Sequence, residues 1–363
     1  MWKRIGFFKD ERTDPHRILF GNAFKMLIKT DNTGGTADNQ YEMPMRGAWD
    51  GTGTFEGDVT YIDWGDGIIQ RHITGVDPAS YPTHTYSSAG EYLIRFAVLR
   101  FASNSLGGIA CSPSSGNNDS DKLLKVVNWG DVSFYTGSGM FANCTNLDVV
   151  AKDAPIFVVS NIQAMFENCS SLQGSVYFNS WSDQWTSIES TFQGATSFNA
   201  DLDQWDVSLV TNLNDVFYGA SSFNGDISTW DTANVANMSV TFRDATSFNS
   251  DISSWDVSSC NTFTSMFRDA SSFNSDIGSW SIKTSGIGDA ESMFRGASSF
   301  NQDIGSWGTN ALQYQMSNMF RDCTTFNQDL SGWCVNLLPG PPTNFDLNCS
   351  AWTQPRPVWG TCP

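Results

Sequence analysis

Six aspartates recur in the second half of the chain at nearly equal intervals: Asp201, Asp226, Asp251, Asp276, Asp303 and Asp329. Two residues before each stands an asparagine (Asn199, Asn224, Asn249, Asn274, Asn301, Asn327), and four residues after it a tryptophan (Trp205, Trp230, Trp255, Trp280, Trp307, Trp333). If consecutive repeats stack, neighbouring carboxylates repel by roughly 1 kcal/mol per pair even in water. Something must offset that repulsion. Turn N–H groups and solvent are the first candidates, and turn capping is the leading reading. A ladder of calcium ions is the second, although one carboxylate per repeat supplies too few oxygens unless backbone carbonyls join in. An acidic strip facing a ligand is the third. The asparagines, with both a donor and an acceptor, suit a structural ladder that satisfies backbone groups at each turn. The tryptophans suit either packing at the core edge, with the indole N–H on a carbonyl, or an aromatic strip for glycan or protein contact. The candidate exposed columns are therefore Trp205, Trp230, Trp255, Trp280 and Trp307 together with Asp201, Asp226, Asp251, Asp276 and Asp303. No resident cofactor or metal is expected.

Catalytic chemistry finds little to work with. The histidines are His16, His72 and His84, all outside the repeats. No Cys/His spacing suits zinc, and no Gly-x-Ser-x-Gly elbow is present. Gly51 and Gly53 make only a weak glycine loop. Asp63 and Asp66 flank a tight turn, and turn chemistry accounts for them better than a catalytic carboxylate pair. A glycosidase needs two carboxylates converging on a cleft, which a ladder of single aspartates does not make. The expectation is a protein that binds and does not catalyse.

The totals narrow the partners. The chain has 363 residues, a formal net charge of -18 and a pI near 4.3. Such a balance argues against nucleic acid and against docking on an anionic membrane. No run approaches the ~18 apolar residues of a membrane-spanning helix. The first residues (MWKRIGFFKDER) lack the apolar core of a secretory signal. Cys144, Cys169 and Cys323 each fall three residues after a landmark phenylalanine. Ala195, Ala220, Ala245, Ala270 and Ala297 fill the same slot, so these cysteines read as small core residues. Cys260 also reads as core. Of Cys111, Cys334, Cys349 and Cys362, the last three crowd the C-terminus, where two of them are candidates for a disulfide staple.

These residues are positioned by a repeat. Phe141, Phe166, Phe192, Phe217, Phe242, Phe267, Phe294, Phe320 and Phe345 mark it, at a period near 25 residues. A fixed period of about 20–50 residues means stacked supersecondary units. Within each unit the landmark Phe and the small residue three later suggest one helical turn, and the Asn-x-Asp-Ile/Leu stretch alternates as a strand does. Leu202, Ile227, Ile252, Ile277, Ile304 and Leu330 should stack in the core. Before the repeats, residues 24–102 carry short strand patterns: 24–30, 41–47, 58–64 and a long one within 84–101, with an Asp-Gly hairpin turn at 65–67. Residues 1–23 read as an attachment segment, 103–122 as a Gly/Ser/Asn-rich linker, 123–332 as the repeat array and 333–363 as a C-terminal cap.

Two resemblances sharpen this. Trp64-Gly65-Asp66-Gly67, His84-Thr85-Tyr86 and Ala89-Gly90-Glu91-Tyr92 resemble the WGDG…HTY…AGxY pattern of PKD-like immunoglobulin-fold domains, which act as spacers or binding modules. Residues 191–217 (TFQGATSFNADLDQWDVSLVTNLNDVF) and 240–267 are similar to the repeats of BspA-like surface proteins, a divergent leucine-rich-repeat family. The pattern loosens at 162–185 and 280–293. The resemblances imply a mainly β chain with short helical turns: a small β-sandwich followed by a leucine-rich-repeat-like solenoid. They also imply surface recognition of a host glycan or protein. Two homes are expected: a phage virion, where the N-terminal segment would dock on other virion proteins, or a bacterial envelope or secreted adhesin. The lack of a signal segment tips the expectation toward the virion. A purely structural spacer is the third reading.

Overall fold

The computed structural model describes residues 20–32, 35–42, 59–73, 82–99, 119–134, 137–181, 183–282, 289–308 and 315–363. Most of the attachment segment, with His16, lies outside the described residues. So do the Gly51–Gly53 loop and residues 103–118 with Cys111. The described residues are mainly β, with very little helix.

Strands form within the expected stretches 24–30, 58–64 and 84–101; of 41–47 only residues 41 and 42 are described, and a strand at 69–73 was not among those expected. β1 (Phe24–Lys29) points Phe24, Met26 and Ile28 inward and Lys25, Leu27 and Lys29 toward partial exposure. β2 (Gln40–Glu42) pairs antiparallel with β5 (Thr83–Thr85). β3 (Val59–Asp63) and β4 (Ile69–Ile73) form a hairpin. Its turn needs Gly65, which sits at φ +84°, because a Cβ there would come within 2.7 Å of the Leu93 carbonyl oxygen. β6 (Glu91–Leu99) pairs antiparallel with both β3 and β1.

β7 (Leu123–Asn128) pairs antiparallel with β1 and parallel with β9 (Asp148–Val149), which belongs to the first repeat. The sheet order is β4-β3-β6-β1-β7-β9, so one sheet runs from the N-terminal strands into the repeats. β8 (Ser133–Phe134) and β10 (Ile156–Phe157) form a second parallel pair. A single buried apolar cluster reaches from Phe24 to Trp352. Where this sheet continues, Asp119 and Lys122 lie 1% and 0% exposed in a short 3-10 turn. The Lys122 ammonium stands 3.4 Å from the Asp119 carboxylate and donates to the Thr36, Ala37 and Gln40 carbonyls and the Thr36 hydroxyl. Asp119 in turn accepts from the Thr36 N–H and hydroxyl and the Glu42 N–H. A buried charge pair is tolerated only when its hydrogen bonds are made this fully.

From residue 137 onward the chain is a stack of coils. The landmark segment is not the helical turn expected. Two residues before the landmark Phe, the backbone turns left-handed at Ser190, Asp215, Val240, Ser265, Ser292 and Asn318. Two residues after it, it does so again at Gly194, Gly219, Asp244, Asp269, Gly296 and Asp322. Alternating left-handed residues break a helix and send every second N–H to the next coil. Thus the N–H groups of Leu213, Asp215, Phe217 and Gly219 donate to the carbonyls of Asn237, Ser239, Thr241 and Arg243, and the pattern repeats in later coils. Isolated parallel bridges at Asn212, Asn237, Thr262, Asp289 and Gln315 mark the same stacking.

The core is made of rings. Phe217, Phe242, Phe267 and Phe294 stack 5.6–5.7 Å apart, within 6° of parallel. Each also stacks on the second phenylalanine of its own coil, as Phe242 does on Phe248 at 3.7 Å. A fully buried phenylalanine contributes ~1.5–3 kcal/mol, but one coil alone exposes both faces of its rings, so the stack stabilises each coil through its neighbours. The last coil corrects one landmark. Phe320 donates to the Phe345 carbonyl, whereas Phe294 donates to that of Met319. Phe345 is therefore the counterpart of Met319, and Asp346 that of Phe320. Cys349 then falls in the small-residue slot, buried and unbridged, and the staple is Cys334–Cys362.

Candidate ligand-facing columns

In the central coils the stretch from the second phenylalanine to the tryptophan alternates outward and inward. Asn224, Asp226 and Thr229 are exposed, while Phe223, Gly225, Ile227 and Trp230 are buried. It forms no strand ladder. Its backbone is held by side chains, which explains the residue types.

The asparagines form the expected ladder. The Asn199 side-chain oxygen accepts the Asn224 N–H at 2.7 Å, and Asn224, Asn249, Asn274 and Asn301 do the same for the asparagine one coil on, at 2.7–2.8 Å. Asn327 ends the series by accepting from the Thr353 and Gln354 N–H groups. The side-chain amide stands in for a β-ladder carbonyl, a role that serine, with its shorter reach, does not fill.

The tryptophans do not form an exposed strip. Trp205, Trp230, Trp255, Trp280 and Trp307 are each only 3% exposed and Trp333 is fully buried. Each indole N–H donates to a carbonyl of the preceding coil: Phe178 at 2.8 Å, Leu202 at 2.9 Å, Ile227 at 3.1 Å, Ile252 at 3.1 Å, Ile277 at 3.0 Å and Ile304 at 2.9 Å. That carbonyl is why the ring lies inward: its one polar atom is satisfied there, and the rest of its area gains by leaving water. The column is structural, and the ligand-facing expectation for it is corrected.

The aspartates are exposed, and they cap turns. Asp226, Asp251, Asp276, Asp303 and Asp329 each accept, at 2.9 Å, the N–H two residues on: that of Ser228, Ser253, Gly278, Gly305 and Ser331. Asp201 instead accepts the Asp226 N–H at 3.0 Å. The Ser253 N–H and hydroxyl hold the Asp251 carboxyl below its usual range, and the Ser331 hydroxyl and N–H do the same for Asp329. A second such column, Asp206, Asp231 and Asp256, caps the turn after the tryptophan. The WD dipeptide signalled it. Among the described residues, no three His, Cys, Asp or Glu side chains converge as a metal site would require.

The N-terminal histidine and carboxylates are also turn chemistry. Asp63 accepts the Gly65 N–H and pairs with Arg95 at 2.8 Å. Asp66 accepts the Ile68 N–H and contacts the His84 imidazole at 2.7 Å. Partial burial raises the Asp66 carboxyl, but the His84 and Ile68 hydrogen bonds outweigh it and the net shift is downward. His84 lies flat on Trp64 at 5.1 Å.

One partly exposed column was not singled out by sequence reasoning. Arg243, Arg268, Arg295 and Arg321 each follow a landmark Phe directly. The recurring FRD and FRG triplets were the available signal.

A family described as "Mycoplasma protein of unknown function, DUF285" matches residues 119–199, 186–286 and 282–340. No curated protein and no solved structure matches the chain.

Proposed function

The chain belongs to the DUF285 family, whose matches run from residue 119 to residue 340, and from that premise we propose that it is a non-enzymatic surface-recognition protein. In this reading the coils are a leucine-rich-repeat-like solenoid, and the N-terminal strands are a PKD-like cap that fixes its first coil. The observation that carries it is the registration of the coils. Alternate N–H groups of the landmark segment bond to the next coil, and the asparagine side chains tie the opposite stretch coil to coil, so one residue type per repeat becomes a column on the surface. The inward positions are occupied by rings and ladders that stabilise the stack. What remains free to vary is the outside, which suits binding a repetitive partner. A host-surface glycan or protein is that partner, and neither nucleic acid nor a membrane interior is. A phage virion surface is the proposed site of display, with a bacterial envelope as the other home.

Purified full-length chain, labelled and incubated with intact cells and with cell-wall fractions of candidate hosts, tests this. Saturable retention that unlabelled chain competes away is the expected result. Absence of retention on every surface tried would favour a spacer. Fractionation of the source then assigns the home, since co-purification with capsids supports the virion and envelope association supports the adhesin.

A further inference from the structure

From residue 137 to the C-terminus the sequence has seven lysines and arginines, against a net charge of -18 for the chain. Four of the seven occupy one position of four consecutive coils: Arg243, Arg268, Arg295 and Arg321. Their backbones are locked in register. Each N–H bonds to the carbonyl three residues earlier. Each carbonyl accepts from the preceding coil: from Gly219, Asp244, Asp269 and Gly296 in turn. The rings beside them step by 5.5–5.7 Å per coil. The side chains of Arg243, Arg268 and Arg321 are 25–31% exposed.

The guanidinium contacts leave one edge free. Asp244, Asp269 and Asp322 approach Nε of the arginine just before them, at 3.4, 3.2 and 3.3 Å. Only the Arg268 contact is also aligned as a hydrogen bond; Nε of Arg243 and Arg321 is buried and not aligned with any acceptor. Among the described residues, no protein group accepts from a terminal Nη atom of any of the four. Arg243 also lies 5.2 Å over the Tyr218 ring, which holds its plane. Arg295 is followed by Gly296, where a Cβ would meet the Asp269 carboxylate at 2.2 Å. Three of the four guanidiniums thus face Asp244, Asp269 and Asp322 through Nε, with Asp215 also within electrostatic reach of Arg243. A planar fork with a free Nη edge is the preferred partner of carboxylate and sulfate groups, which it binds bidentately.

We propose that the column Arg243–Arg268–Arg295–Arg321 binds a linear acidic polysaccharide, with anionic groups on successive sugars engaging successive coils. This rests on the surface-recognition reading and names its ligand class. The acidic columns at other positions of the coil repel a polyanion placed elsewhere, which confines it to this strip.

The test uses the full chain and polygalacturonate, with dextran of similar length as the neutral control, by isothermal titration. Wild type should bind the polyuronate and not the dextran. Replacing all four arginines by glutamine should weaken binding at least about tenfold, and replacing them by lysine, which keeps the charge but loses the fork, should weaken it less. R295Q alone, which removes the one arginine of the column not followed by an aspartate, should weaken binding severalfold if the quadruple variant does not fold. D244N/D269N/D322N should bind more tightly than wild type. Equal affinity for dextran, or an R295Q or quadruple variant that folds and binds like wild type, would overturn the proposal. So would single-stranded DNA or polyphosphate binding as tightly as the polyuronate. Retention on cells without any response to polygalacturonate would overturn the arginine column and leave surface recognition standing. Retention on neither would overturn both.

Discussion

At its N-terminal end the coil array is continued by a sheet, whereas at its C-terminal end it is shut by prolines and a disulfide. Along the landmark segment each coil donates its N–H groups to the next, so the two ends face different problems. The first coil receives β7 and, beyond it, the antiparallel strand β1, so its edge is covered by further backbone pairing. Pro342 stands where earlier coils place Leu213, Met238, Phe263 and Ala290, whose N–H groups all reach the next coil. A proline there removes the donor that the earlier coils use. Pro355 supplies only a carbonyl, to Leu330. The Cys334–Cys362 bridge then ties the final turn to the coil before it. One end satisfies its open groups and the other eliminates them. Both are answers to the edge problem of an unclosed ladder.

The comparison breaks most severely at Lys122. Its ammonium is fully buried and bonded to three carbonyls, so Lys122→Met removes the counter-charge nearest the buried Asp119 carboxylate. The expected loss is about 3–5 kcal/mol in urea unfolding. D119N/K122M should recover much of it, because removing both charges also removes the penalty of burying them. A loss under ~1 kcal/mol for K122M would mean that the sheet joins the coils without help from this pair. The staple at the other end should matter less, and locally. C334S/C362S opens a loop closed over a separation of 28 residues, worth about 3.5 kcal/mol in the chain-entropy account. In a stack of coils that loss is confined to the terminal unit. Hydrogen exchange should quicken at Val335, Gly360 and Thr361, whose mutual bonds close the cap, and stay unchanged at Phe242 and Phe267. Uniform loosening of all coils would contradict independent ends.

What the sequence disclosed follows from where the information is local. The asparagine column and the left-handed residues after each landmark Phe are legible because Gly, Asn and Asp tolerate or exploit those conformations. The left-handed residue before the landmark is not, since Val240 and Ser265 carry no such signature; they are held there by bonds to the next coil. The same applies to the ends. Pairing of β1 with β7 spans about a hundred residues and leaves no local mark, and a stretch that read as a linker ends in the buried turn with Asp119 and Lys122. Phe345 was misaligned because an NF pair imitated the landmark, and only the coil-to-coil bonds reveal the shift that places Cys349 in the small-residue slot. The tryptophans were assigned two roles because spacing alone does not say which side of the coil a ring occupies.

The smallest effect lies in the middle of the array and separates it from both ends. Asp206, Asp251 and Asp256 are depressed below the ordinary carboxylate value of 3.8 by the hydroxyl and N–H groups of Ser208, Ser253 and Ser258. A carboxyl whose folded pKa lies below its unfolded one adds stability that is complete above the unfolded value and is lost as pH falls through the folded value. Each turn should therefore weaken below about pH 3.8, by at most ~0.5 kcal/mol after solvent screening. Burial acts the other way at Asp183 and Asp215, whose carboxyls are raised, so acid relieves a penalty there. Acid loosening should accordingly start at the turns of residues 206–208 and 251–258 and spare the immediate surroundings of Asp183 and Asp215. Protection of the Ser253 and Ser258 amides, followed by exchange between pH 2.5 and 5, reads this directly. Asp251→Asn keeps the oxygen acceptor and removes the titration, so its turn should lose the acid response while the Asp256 turn retains it. If the surroundings of Asp183 and Asp215 loosened first instead, the capped turns would not govern acid stability.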